Sequence, residues 1–173
     1  MSARRLAAEL GCEAMSLYHY VANMGQLLDE VVDQVLGSLV LPPAGAPDPR
    51  KRLTEMTYAY LQLARARPLA YRIISTHRWR TPAEMAYQSR MIELLMSAGL
   101  KPRAALRAAR LLLVYLNGAG LATAAWQLDT VRVSLQSAPA SLQQLDRFLN
   151  AAEVARDLDW GLELLLRTLV PTG

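Results

Sequence analysis

The N-terminal stretch gathers side chains suited to contacting a polyanion. Arg4 is followed by Ser16, Tyr18, His19 and Tyr20. Hydroxyl and imidazole groups donate hydrogen bonds to phosphate oxygens, and a guanidinium can grip phosphate or pair bidentately with guanine. Ala14 and Met15 can touch a thymine methyl. Leu6 and Leu10 are one turn apart, Gly11 permits a left-handed turn, and Leu17 and Val21 restore an apolar face. This pattern predicts two short helices packed through those four residues, a helix-turn-helix whose second helix, about Glu13 to Tyr20, fits the major groove of B-DNA. Ser2 caps the first helix and joins Arg4 in the contact set. Cys12 is expected to be a small buried residue at the turn.

A second group suits a ligand cavity. Met56, Tyr60, Tyr71, Ile74, Met85, Gln88, Met91, Ile92, Met96, Tyr115, Asn117 and Trp126 recur at helical spacing. Met and aromatic side chains make an adaptable apolar wall, and the Tyr hydroxyls, Asn117 and Gln88 supply sparse polar anchors. The same spacing also describes plain core. His77 lies in a polar stretch with Arg78 and Arg80, either to contact an anionic ligand or as a satisfied histidine in a surface loop. An enzyme is not expected. The chain has no phosphate-cradling Gly loop, no cluster of metal ligands and no nucleophile with its base. Neither a metal nor a cofactor is expected.

The elements that must hold these residues are helical throughout, and the expected fold is all-α. Residues 1–40 form the helix-turn-helix head with a connecting helix, about Gly25 to Leu39. Pro42, Pro43, Gly45 and Pro47 mark a linker. Residues 48–173 form a second helical domain. Asp48-Pro49 opens a helix to about Arg67, and Pro68 starts a shorter one to Ser75. Thr81-Pro82-Ala83-Glu84 is a capping box opening a helix to Ala98, and a long helix covers about Pro102 to Gln127. Residues 129–139 read as loop, Ala140 to Ala152 as helix, and about Asp157 to Leu169 as the last helix.

The bulk numbers fit that frame. The 173 residues are enough for a sizeable core, and 53% are hydrophobic but only 6% aromatic, which favours helices over a β-sandwich. The net charge of +4 permits nucleic-acid binding without requiring it. A single cysteine excludes an internal disulfide and a Cys-type zinc site. Glu9 breaks the run a signal peptide needs, so a cytoplasmic location is expected. Leu111 to Leu128 is uncharged, but its Asn117, Gly118, Gly120, Thr123 and Gln127 suit an interface helix better than a membrane span.

Arg4 to Cys12, Leu17 to Asn23 and Leu27-Leu28-Asp29 together resemble the helix-turn-helix signature of the tetracycline-repressor family. Leu158 to Leu166 and the helices opened by Pro82 and Pro102 resemble its regulatory domain. The resemblance implies a homodimer that binds double-stranded operator DNA and is released by a small-molecule effector held in an interior cavity. It also implies a four-helix dimer interface, with Gly118, Ala122 and Ala125 allowing close approach and Trp160 and Leu164 as contacts. The family carries a further bracing helix ahead of Ser2, and the sequence leaves open whether that helix is truncated or lost. Ala22 and Met24 stand where the family usually has phosphate-gripping lysines, and residues 1–24 balance Arg4 and Arg5 against Glu9 and Glu13. The alternative is therefore a dimeric small-molecule-binding protein whose head no longer reads DNA.

Overall fold

The fold comes from a computed structural model that describes residues 3–77, 80–128, 139–148 and 150–170. Helix α1 spans Ala3–Leu10 and α2 spans Ala14–Leu17. Between them Gly11 adopts φ 67°, and the Cys12 amide donates to the Ala7 carbonyl at 3.0 Å. That bond closes the end of α1, and only a residue without Cβ enters it without strain. Helix α3, Met24–Gly37, starts at Asn23, whose side chain accepts from the Gln26 amide. Helix α4, Pro49–Ala66, is capped by Asp48, and α5, Pro68–Ile74, follows at once. Both place Pro in the first turn, where its missing N–H costs nothing.

Helix α6 runs Pro82–Ser97 behind the expected capping box. Thr81 accepts from the Glu84 amide, and Glu84 accepts from the Thr81 amide. Helix α7, Pro102–Leu128, is the axis of the helices that follow the head and packs against α4, α5 and α6. A short α8, Ala140–Gln143, and a 3-10 turn, Asp146–Phe148, lead to α9, Ala151–Leu169, which also packs on α7. The core between them contains Leu53, Tyr71, Met91, Leu95, Leu112, Leu116 and Leu162, all buried. By length and hydropathy α7 also suits a membrane span. Its buried stripe of Ala105, Ala109, Leu112, Leu116 and Ala119 instead belongs to this core.

Four expectations need correction. The second helix of the head is shorter than its periodicity suggests, so Tyr18, His19 and Tyr20 lie in the turn that follows it. Leu10 is 63% exposed and not packed inside the head, because periodicity identifies an apolar face without supplying a cover for it. Cys12 is exposed. Helix α9 starts six residues earlier than expected, because Asn150 accepts from the Ala152 and Glu153 amides and caps it there, while α8 is a single turn. Expectations for Ser2, Arg78 and residues 129–138 fall outside the described residues, as do those for the side chains of Ala14 and Leu17.

Candidate functional site

The head presents polar and apolar side chains outward. Arg4 is exposed on α1, and Met15 is 72% exposed on α2, with Ser16 half-buried beside it. Tyr18, His19 and Tyr20 are exposed in the next turn, Tyr20 the most at 85%. Helices α1 and α2 pack on each other, so these side chains belong to one small module. The module feeds directly into α3. The Ala22 amide donates to Gln26 Oε1 at 2.7 Å, and Asn23 caps the same turn, which fixes the direction of entry.

Behind the head lies a cluster of buried tyrosines. Tyr60 of α4 meets Tyr71 of α5 edge to face, with ring centres 5.5 Å apart, and Tyr87 of α6 at 5.1 Å. Each hydroxyl has a partner. Tyr60 donates to Asn117 Oδ1 at 2.8 Å, Tyr71 to the Leu116 carbonyl at 2.8 Å, and Tyr87 to the Met56 carbonyl at 3.2 Å. Burial pushes all three phenols well above their usual range. Met56 and Ile74 are buried in the same core, with Ile92 half-buried against it. Tyr115 is half-buried and donates to the Leu158 carbonyl at 2.6 Å, tying α7 to α9. Tyr87 escaped the sequence reading, although its spacing to Met91, Leu94 and Leu95 already marks a buried face.

Not every candidate joins this cluster. Gln88 is half-buried and Met85 is 54% exposed, on the outer side of α6. His77 does not offer a nitrogen to an anionic ligand. Its Nε2 lies 2.6 Å from Asp29 Oδ1 and its Nδ1 lies 2.8 Å from Glu84 Oε1. Both ring nitrogens are therefore occupied by carboxylates of the protein itself. Arg80 adds two bonds to the same Asp29 oxygen, at 2.7 and 2.9 Å. The Arg80 guanidinium beside Asp29 and the His77 ring hold that carboxyl below its usual range, against an opposing effect of burial. Next to this cluster an open groove of about 580 Å³ runs between α3 and the start of α6, lined by Gln26, Glu30, Asp33, Arg80 and Pro82 among others.

The long helices carry an uncovered apolar face. Leu111 and Val114 are exposed on α7, as are Gly118 and Ala125 farther along, with Ala122 half-buried. A Cβ at Gly118 would meet nothing within 4 Å. Trp160 and Leu164 of α9 are 66% and 50% exposed. Trp126 closes the α7 end at 44% exposure.

No family model matches the chain. The chain is 34% identical over 101 residues to the HTH-type transcriptional repressor DrrR1 of Streptomyces coeruleorubidus, a match covering 58% of this chain and 37% of that protein. It resembles the crystal structure of apo ActR from Streptomyces coelicolor with a TM-score of 0.71 and 28% identity, over 98% of this chain and 86% of that one. The TetR-family protein ActR in complex with actinorhodin gives 0.75 and 26% over the same shares. The fold is shared as well by a TetR variant from Acinetobacter baumannii AYE in complex with minocycline, with a TM-score of 0.74 at 24% identity, over 96% and 82% of the two chains. With a helix-turn-helix leading into an all-helical core, the chain shares its fold with these TetR-type regulators and part of its sequence with a transcriptional repressor.

Proposed function

We propose that this chain is a ligand-responsive transcriptional repressor that acts in the cytoplasm as a homodimer on operator DNA. The observation that carries the reading is the continuity from head to core. The exposed Arg4, Met15, Tyr18, His19 and Tyr20 sit on a module that enters α3, and α3 is bonded to the same α5–α6 region that holds the tyrosine cluster. Arg4 and the three residues 18–20 grip phosphate and read base edges, and Met15 packs on a thymine methyl.

The effector enters among Tyr60, Tyr71, Tyr115, Asn117, Met56, Ile74 and Ile92. Flat rings, a thioether and a few hydroxyls favour a ring-shaped, largely apolar molecule with scattered oxygens. Actinorhodin and minocycline, bound by two of the similar structures, are the first probes to try. Because the tyrosines now pack on one another and on α7, an effector must displace them, and that displacement gives it different affinities for two shapes of the dimer. The second copy covers Leu111, Val114, Gly118, Ala122, Ala125, Trp160 and Leu164, since an apolar stripe of this size stays exposed only where a partner covers it.

A second reading rests on one observation. The head's two arginines are balanced by Glu9 and Glu13, and Ala22 and Met24 offer no cation. A dimer that binds small molecules without reading DNA would have such a head. Selection of bound duplexes from a random library separates the two. The repressor reading expects an inverted repeat with half-sites about one helical turn apart. Recovery of no common sequence by a folded dimer favours the second.

A further inference from the structure

We propose that His77, Asp29, Arg80 and Glu84 form a charge clasp that fixes α3, and the helix-turn-helix it carries, to the start of α6. The clasp joins three parts of the chain. Asp29 belongs to α3, His77 and Arg80 to the α5–α6 connection, and Glu84 to the first turn of α6. The His77 side chain is 7% exposed and Glu84 is 2% exposed, so the His77–Glu84 half of the joint is interior, while Asp29 and Arg80 reach the surface.

The chemistry of the joint is specific. Glu84 Oε2 accepts from the Arg80 and Thr81 amides at 2.9 and 3.0 Å, which leaves Oε1 for His77 Nδ1. On the other side Asp29 Oδ1 faces His77 Nε2. Each ring nitrogen faces a carboxylate oxygen, so the one imidazole bridges α3 and the first turn of α6. A second carboxylate of α3 reinforces the joint. Asp33 Oδ1 accepts from the Ala83 amide at 2.8 Å, one of the N–H groups that α6 leaves unpaired at its N-terminus. Helix α3 is thus held to the N-terminus of α6 at two points one turn apart. No single side chain can replace His77. An amide in its place cannot bridge both carboxylates along the same axis, and removing the ring leaves a buried carboxylate short of a partner.

The consequence rests on the repressor reading, whereas the clasp does not. Tyr71 and Ile74 sit on α5, immediately before His77, so a molecule that displaces them pulls on His77. A joint that holds α3 by directional charge-assisted bonds passes that pull to the head, where apolar packing alone would let α3 slide.

Hydrogen exchange on the whole chain tests the clasp without DNA or effector. The variants are His77→Gln, Asp29→Asn and Arg80→Ala, with Arg65→Gln, which breaks the separate Arg65–Asp159 pair, as control. The amides of α3 should exchange roughly tenfold faster or more in His77→Gln and a few-fold faster in Asp29→Asn and Arg80→Ala, with α4 and α7 unchanged. A dye on the exposed Cys12 should show a larger amplitude of fast head motion in the same variants. Unchanged α3 exchange, or an equal rise in every helix, overturns the proposal. Should His77→Gln fail to fold, Arg80→Ala decides, since Arg80 is 54% exposed and its loss leaves the core intact. A loosened α3 in a protein that never binds DNA would uphold the clasp and reject the repressor.

Discussion

The ring of Tyr71 fills the space beside Gly120 so closely that a Cβ on residue 120 would lie 2.2 Å from the ring. The contact explains why residue 120, in the middle of a long helix, is glycine. Gly120 costs α7 helical propensity, and in return lets α5 approach with a whole tyrosine whose hydroxyl reaches the Leu116 carbonyl. Gly120→Ala should lower stability by about 1–3 kcal/mol, the usual range for forced overpacking. Tyr71→Phe should cost about 1 kcal/mol through the lost hydroxyl bond. Denaturant unfolding measures both. In the double variant the two costs should not add, because the residues share one contact.

The buried tyrosines set a limit at high pH. Tyr60, Tyr71 and Tyr87 ionise far less readily when folded than the usual phenol at about 10. A raised folded pKa means that the stabilisation is complete below pH about 10 and is lost as pH rises past it. Phenolate absorbance of these three should therefore appear only together with loss of the helical circular dichroism signal. Early ionisation in the folded state would show that the cluster is open to water.

Asp29 gives the opposite sign. Its lowered pKa means that its bonds to Arg80 and His77 are present above the usual carboxylate value of about 3.9 and are lost as pH falls below it. Carboxyl carbon NMR should find Asp29 titrating below that value, and Arg80→Ala should move it upward. No movement would mean that Arg80 is not its main partner.

The start of α9 is testable by one cap. Asn150→Ala removes the acceptor for the Ala152 and Glu153 amides and should cost about 1 kcal/mol, with faster exchange confined to the first turn. An unchanged stability would place the start of the helix elsewhere.

Much of this fold was legible because its punctuation is local. Asp48-Pro49, Pro68, Thr81-Pro82 and Pro102 each open a helix where they stand, and Gly11 and Gly99 close helices with positive φ. What escaped depends on distance or on competition. Asn150 is a good cap, but the apolar spacing after Asp157 drew the start of α9 six residues too late. The outward residues of the head could be read from its turn, whereas the exposure of Leu10 could not, since period alone does not say what lies opposite. His77 could be read as a ligand contact or as a satisfied loop histidine, because its partner Asp29 is 48 residues away and nothing in spacing joins them. Tyr60 and Tyr71 could be read as interior, but their closure onto α7 could not.

The repressor reading stands or falls on whether the exposed head residues read DNA. Fluorescence anisotropy of a labelled duplex from the region upstream of the coding sequence, at several salt concentrations, asks that question of the intact chain. Binding should be several orders tighter than to unrelated DNA. Arg4→Ala should weaken it and lower the salt slope by about one, and Tyr18→Ala should weaken it without unfolding the protein. Equal affinity for both duplexes, unaffected by either substitution, would refute the reading.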